Sequence, residues 1–228
     1  MDKRIGFMEI KAAIFDMDGT LIDSLMIWDV IWSKFGETYL NDKDFRPSVE
    51  DDKRVRTLTL KDAMRLIHDT YNIGIDGEEL LNYANRIMID FYSNQVTLKS
   101  GVIEFLEYCK RNGVKMCIAT ATATELLNYA IKRCNIEKYF LKIFSCGDIG
   151  KGKDYPDIFL LAQEFLGEKI SDTWVIEDSL VAIETATKIG LPTVGIYDPF
   201  NYGQEKIKQI ATKYIAQGHT LLELINRN

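Results

Sequence analysis

The chain of 228 residues carries only two histidines and four cysteines, and no two cysteines stand in a C-x-x-C pair. A Cys/His zinc site of the usual kind lacks its ligands, so Cys109, Cys117, Cys134 and Cys146 are read as reduced thiols in or near a core. No apolar run approaches the roughly 18 residues that a membrane span needs. Asp2, Glu9 and Asp16 interrupt any apolar stretch of the kind a secretory signal requires. A soluble, cytoplasmic protein with no membrane partner is therefore expected. The 28 Lys and Arg against 34 Asp and Glu give a net charge of −6, which advertises no basic face for nucleic acid. Four prolines and 15 glycines are sparse punctuation, and neither an internal repeat nor a low-complexity linker is visible.

What is present is a globular balance, with 46% hydrophobic and 27% charged residues, and length for one large domain or two small ones. Short apolar runs alternate with longer amphipathic stretches. Ile10–Phe15, Val114–Ala119, Lys142–Ser145, Trp174–Ile176 and Pro192–Ile196 read as strands. Helical patterns follow over Thr124–Cys134, from Pro156 to about Leu166 with Gly167 as the stop signal, and up to Gly190. The last 25 residues read as helix, short strand, helix. Alternation of this kind implies parallel βαβ units, so the core is expected to be α/β: a three-layer, Rossmann-like parallel sheet. From about Leu25 to Tyr92 the alternation stops. Leu58–Ile67 and Leu80–Phe91 repeat apolar residues three and four apart, and the stretch reads as helical throughout, an inserted α-helical domain. The expected division is 1–22 with 96–228 for the sheet domain and 23–95 for the insertion.

In a parallel sheet the loops at the carboxyl ends of the strands form the ligand crevice. Asp16 and Asp18 follow the first strand, with Gly19 and Thr20. Thr120 follows the second, Lys151 and Lys153 lie beyond the third, and Glu177, Asp178 and Ser179 end the fourth. Clustered carboxylates repel unless a hard cation or a lysine neutralises them. Asp16 with Asp178 offers oxygen ligands suited to Mg²⁺. A carboxylate so neutralised can attack phosphorus, and Asp18 is placed to act as acid on the leaving oxygen and later as base on water. Lys153 and Thr120 suit the phosphoryl oxygens by charge and hydrogen bond, and Gly19 permits a tight turn. Any one of these residues alone has an ordinary structural reading: turn aspartates, a β-branched strand end, a solvated loop lysine, acids at a helix start. Four strand ends with compatible chemistry carry the argument.

Taken together, the chain resembles the haloacid dehalogenase-like (HAD) hydrolase superfamily. Asp16-Met-Asp18-Gly-Thr-Leu-Ile-Asp23-Ser24 matches its first motif and Thr120, after Cys-Ile-Ala, its second. Lys153, shortly before Pro156-Asp157, matches the third, and Val-Ile-Glu177-Asp178-Ser179 the fourth. The helical stretch is similar to the cap of the phosphoglycolate phosphatase, sugar phosphatase and β-phosphoglucomutase branch. The resemblance implies Asp16 as nucleophile and metal ligand, and Asp18 as acid/base whose main-chain carbonyl also binds Mg²⁺. It implies Asp178 as a ligand, and Glu177 as a ligand or as a partner of the ligands. Thr120, Lys153 and the backbone N–H of Ala121 would bind the phosphoryl group, and the cap would close over the substrate and select it. Position 154 is Asp where the third motif usually has Pro, which leaves Lys151 as an alternative to Lys153. Trp28 stands where the mutases usually carry His, and Thr122 and Thr124 replace side chains that help a mutase hold a second phosphate. Arg46, Arg54 and Arg56 in the insertion are either solvated charges or contacts to an anionic substrate.

The expected function is thus a Mg²⁺-dependent phosphatase of a small phosphorylated metabolite, a sugar or hydroxy-acid phosphate, acting as a monomer or small homo-oligomer. A phosphosugar mutase and a catalytically silent binding module are the alternatives. A dehalogenase is disfavoured because Asp18 is present. A response-regulator receiver is disfavoured by length and by the helical insertion.

Overall fold

Ala12–Phe15, buried at every residue, form the central strand β1 of a computed structural model describing residues 10–56 and 58–225. Asp2 and Glu9 lie outside the described residues. A strand buried on both faces must read as a continuous apolar run, and Ala-Ala-Ile-Phe does. The chain next forms β2 (Ile22–Asp23), α1 (Ile27–Phe35), α2 (Val49–Val55), α3 (Leu60–Tyr71), α4 (Gly77–Asn94) and β3 (Thr97–Leu98). Alternation then sets in with α5 (Val102–Arg111), β4 (Lys115–Thr120), α6 (Thr124–Cys134), β5 (Ile143–Ser145), α7 (Cys146–Ile149) and α8 (Asp157–Leu166). It continues through β6 (Thr173–Glu177), α9 (Leu180–Lys188), β7 (Thr193–Ile196), α10 (Gln204–Ile210) and β8 (Lys213–Ile215).

Six strands make one parallel sheet in the order β5-β4-β1-β6-β7-β8. Strand order reverses at β1, which has β4 on one side and β6 on the other. Phe15 is level with Ile118 and with Ile176, so Asp16, Thr120 and Glu177 emerge at one edge. Alternating residues face opposite layers. Ala12 and Ile14 join Cys117, Ala119 and Val175 beneath Ile158, Phe159 and Ala162 of α8 and Ala182 and Ala186 of α9. On the other face Phe15 meets Phe105 of α5 edge-on, with ring centroids 6.2 Å apart. That gives three layers. Cys109, Cys117 and Cys146 are buried free thiols, and Cys134 is half-buried.

The chain divides into two compact units, Met1–Ser24 with Val96–Asn228, and Leu25–Gln95. Asp23 and Ser24 stay with the sheet because Asp23 pairs with Thr97 in a two-stranded antiparallel ribbon and Ser24 hydrogen-bonds Asp18. The inserted unit is built on α1 to α4. Thr59 caps α3 by accepting the Asp62 N–H, and Asp76 caps α4 by accepting from Glu78 and Glu79. Ala63, Met64 and Ile67 of α3, and Leu80, Ala84 and Met88 of α4, are buried.

Two expectations need correction. The insertion is not helical throughout: Asn41 takes a left-handed conformation, φ 53°, that ends the first helical stretch, and Asp42–Pro47 is irregular until Ser48 caps α2. Among the described residues the final element is a single 3₁₀ turn, Leu221–Leu224, started by Thr220, where a helix was expected. No helix among the described residues is long and apolar enough to cross a membrane.

Candidate functional site

β1 delivers Asp16, whose N–H donates to the Ile176 carbonyl at 2.9 Å and so prolongs the ladder to β6 by one bond. The chain then reverses. Gly19 adopts φ 80°, a conformation that other residues reach only with strain, and its N–H donates to the Ile22 carbonyl at 3.0 Å. Leu21 and Ile22 donate back to the Met17 carbonyl at 2.9 and 3.0 Å. This turn fixes Asp16 and Asp18 at the same sheet edge.

Lys153 comes from the loop between α7 and α8. Its ammonium donates to Asp16 Oδ1 and, at 2.6 Å, to Glu177 Oε1. Lys151, two residues earlier, pairs instead with Asp157 at 2.6 Å, with both side chains partly in solvent. Glu177 is engaged at both oxygens, since Oε2 accepts the Ser179 N–H at 2.6 Å. Asp178 Oδ1 accepts from Thr20 Oγ1 at 2.8 Å, and Oδ2 accepts from Asn201 Nδ2 at 2.7 Å. Asp18 is held at both oxygens, by Ser24 Oγ at 2.7 Å and by Thr122 Oγ1 at 2.7 Å. Thr120 is buried, and its hydroxyl accepts the Thr122 N–H at 3.1 Å. Ser145 at the end of β5 donates to the Thr122 carbonyl at 3.0 Å. Ala121 follows Thr120 and is exposed.

Asp16, Glu177 and Asp178 are all buried, and each offers a carboxylate oxygen, these atoms lying within 4.8 Å of one another. Burial pushes the Asp16 carboxyl up to about 7; Lys153 opposes the rise, and Glu177 and Asp18 add to it. Asp178 is raised well above the usual carboxylate range, first by burial and then by Glu177 and Asp16. Burial pulls the Lys153 ammonium down, but Asp16 and Glu177 outweigh it and hold it above the ordinary lysine value. With all three buried carboxylates ionised, one ammonium would leave surplus negative charge, and without a cation the raised Asp16 and Asp178 relieve it by holding protons. An all-oxygen, anionic donor set of this kind fits a hard divalent cation such as Mg²⁺.

The residues singled out at the strand ends fall into three hydrogen-bonded groups: Asp16 with Lys153, Glu177 and Ser179, Asp178 with Thr20 and Asn201, and Asp18 with Ser24, Thr122 and Thr120. Lys151, Ala121 and Thr124 stay outside them, Thr124 pairing with Asp148 at 3.1 Å. Sequence reasoning missed Asn201 and the ion pair of Lys99 with Asp198, 2.7 Å. The available signal was Asp198-Pro-Phe-Asn201, a turn-forming run directly after the fifth strand.

In the inserted unit Trp28 stacks on Trp32, with centroids 5.6 Å apart. Asp52 accepts from Trp32 Nε1 at 2.9 Å and from Arg56 Nε at 2.8 Å. The Arg56 guanidinium lies 5.9 Å from the Trp28 ring. Arg46 pairs with Asp29 at 3.4 Å. The Arg54 charge helps to hold the Asp51 carboxyl low, after the hydrogen bonds from Tyr71 and Ser48.

Comparison with known proteins agrees with the geometry. The phosphorylated carbohydrates phosphatase of Thermotoga maritima is 26% identical over 200 residues, covering 86% of this chain and 89% of its own. Phosphoglycolate phosphatase 1 of Pseudomonas aeruginosa is 24% identical over 219 residues, covering 93% and 78%. The crystal structure of CbbY from Rhodobacter sphaeroides in complex with phosphate shares the fold, with a TM-score of 0.73 at 20% identity over 90% of this chain and 93% of that one. The family model of haloacid dehalogenase-like hydrolases matches residues 10–190. The chain belongs to the haloacid dehalogenase-like hydrolases.

Proposed function

We propose that the protein is a Mg²⁺-dependent phosphatase that hydrolyses a small phosphorylated metabolite, a sugar or hydroxy-acid phosphate, through an aspartyl-phosphate on Asp16. The observation that carries this reading is the buried cluster of Asp16, Glu177 and Asp178 around the Lys153 ammonium, with Asp18 fixed two residues from Asp16 by the Ser24 and Thr122 hydroxyls. Attack by Asp16 on phosphorus forms a P–O bond to the carboxylate and breaks the ester P–O bond. Asp18 hands its proton to the departing alkoxide. In the second half Asp18 takes a proton from water, which attacks the acyl phosphate and frees Asp16 and inorganic phosphate. Lys153 and Thr120 hold the phosphoryl oxygens as charge builds on them.

Asp16 and Asp178 would hold the metal, with Glu177 fixing Lys153 and the first turn after β6. When bound, Mg²⁺ supplies charge neutralisation that lets an anionic nucleophile approach an anionic phosphoryl group. The names of the relatives support the substrate class: one acts on phosphorylated carbohydrates, another on phosphoglycolate. The test is inorganic phosphate release from a panel of sugar, hydroxy-acid and nucleoside monophosphates, with Mg²⁺ and with EDTA, on wild type and Asp16→Asn. Release that requires both Mg²⁺ and Asp16 is expected. A folded protein that releases phosphate from none of them, or isomerises a sugar phosphate without release, overturns the reading.

A further inference from the structure

The loop after β7 makes a second set of bonds to the candidate metal site, from residues outside the four motifs. Asn201 Nδ2 donates both to Asp178 Oδ2, 2.7 Å, and to the Asp178 carbonyl, 2.9 Å. Its own Oδ1 accepts the Tyr202 N–H at 2.8 Å, which fixes the amide with its nitrogen toward Asp178. A carboxylate has about four lone-pair positions. Thr20 occupies one on Oδ1 and Asn201 one on Oδ2, so the carboxylate plane is set and each oxygen retains a site for a cation.

The loop that carries Asn201 is itself anchored. Asp198 is fully buried; its Oδ1 accepts the Phe200 N–H at 2.9 Å and its Oδ2 the Lys99 ammonium at 2.7 Å. The Asn201 N–H donates to the Asp198 carbonyl at 3.2 Å. Gly203, at φ 81°, closes the loop so near α9 that a Cβ there would meet Leu180 Cδ2 at 2.8 Å. Lys99 directly follows β3. A chain of contacts thus runs Lys99–Asp198–Asn201–Asp178, with each link within hydrogen-bond reach.

We propose that Asn201 is a positioning residue that orients the Asp178 carboxylate for the divalent cation, and that the Lys99–Asp198 pair holds Asn201 in place for this. The proposal rests on the reading of Asp178 as a metal ligand but needs no phosphatase activity for its test. Partners of metal ligands typically change metal affinity by about 10- to 100-fold.

The experiment titrates the metal-free protein with Mg²⁺ alone by calorimetry, for wild type, Asn201→Leu, Asn201→Gln and Lys99→Met. Urea unfolding of each metal-free variant is measured beside it. Asn201→Leu keeps the branched shape at a somewhat larger volume and removes the donor, and is expected to weaken Mg²⁺ binding about tenfold. Asn201→Gln retains an amide and is expected to recover part of the loss. Lys99→Met acts one step further away and is expected to weaken binding less than Asn201→Leu. Phosphate release supplies a further readout: Asn201→Leu shifts the Mg²⁺ concentration for half-maximal rate upward, while saturating Mg²⁺ restores kcat and the substrate KM stays unchanged. A residue that merely supports the loop would lower the unfolding midpoint and leave the Mg²⁺ Kd alone. Wild-type Mg²⁺ affinity in Asn201→Leu overturns the proposal. If that variant does not fold, unchanged affinity in both Asn201→Gln and Lys99→Met overturns it. Normal metal binding without phosphatase activity would remove the proposed function and leave this inference standing.

Discussion

Lys153 bridges Asp16 at the end of β1 and Glu177 at the end of β6 through a single buried ammonium. The two strands are neighbours in the sheet, so a residue from a third loop holds together carboxylates that would otherwise repel. On the proposed reading, the same ammonium would also hold a phosphoryl oxygen next to Asp16.

That placement separates the two lysines of the loop. Lys153→Ala removes a charge preorganised for the reacting group and should lower kcat by about 10²–10³, the scale for one such donor. Lys151 is paired at the surface with Asp157, and exposed pairs of this kind contribute little. Lys151→Ala should leave turnover near the wild-type value. Steady-state phosphate release on both variants checks this, and the opposite ranking would show that Lys151 is the working residue.

Asp18 should matter in proportion to how poor the leaving group is. General acid catalysis is worth about 10²–10⁴, and an aryl phosphate with a good leaving group needs it least. Asp18→Asn should therefore lose orders of magnitude on an alkyl phosphate and distinctly less on p-nitrophenyl phosphate. Equal losses on the two substrates would remove the acid role.

The residues that would line the sheet edge were legible because each follows a short apolar run, and a buried parallel strand has to be apolar at nearly every position. The pairings were not. Asp198 meets Lys99 across 99 positions of chain, and nothing at either position marks the other. Asn201 lies after a fifth strand end, in a run that reads only as a turn. The ribbon of β2 and β3 is two residues on each side, too short to show a period. Asp42–Pro47 was hidden because helix periodicity on both sides outweighs one left-handed Asn and one Pro. The ranking of Lys153 over Lys151 rested on the motif; the loop that turns one inward and the other outward is a matter of tertiary packing.

Within the inserted unit, Asp52 should be the costliest polar residue to lose. It accepts from the Trp32 indole and from Arg56, and Trp32 is among the largest fully buried side chains. Asp52→Ala strips the acceptor from a buried N–H and from a cation, and hydrogen bonds to charged groups are worth about 1.5–3 kcal/mol each. Destabilisation by about 2–3 kcal/mol is expected in urea unfolding. A loss below about 0.5 kcal/mol, the range of ordinary surface substitutions, would show that the network carries no stability.

The metal-free protein should lose stability as pH rises from about 4 toward neutrality. Asp16 is raised to about 7, by burial first, with Lys153 opposing, and Asp178 is raised as well. A carboxyl with a raised pKa in the folded state binds more protons folded than unfolded between the two values. Stability then falls with pH over that window, which for Asp16 runs from about 4 to about 7. Thermal unfolding in EDTA should show a Tm that declines across this range, with a shallower decline in Asp16→Asn, which cannot titrate. Mg²⁺ must displace protons from the same carboxyls, so the Tm gain it produces should be larger at pH 8 than at pH 5.5. A metal-free Tm that climbs from pH 4 to 7, with a Mg²⁺ gain independent of pH, would mean that these carboxyls ionise freely in the folded protein.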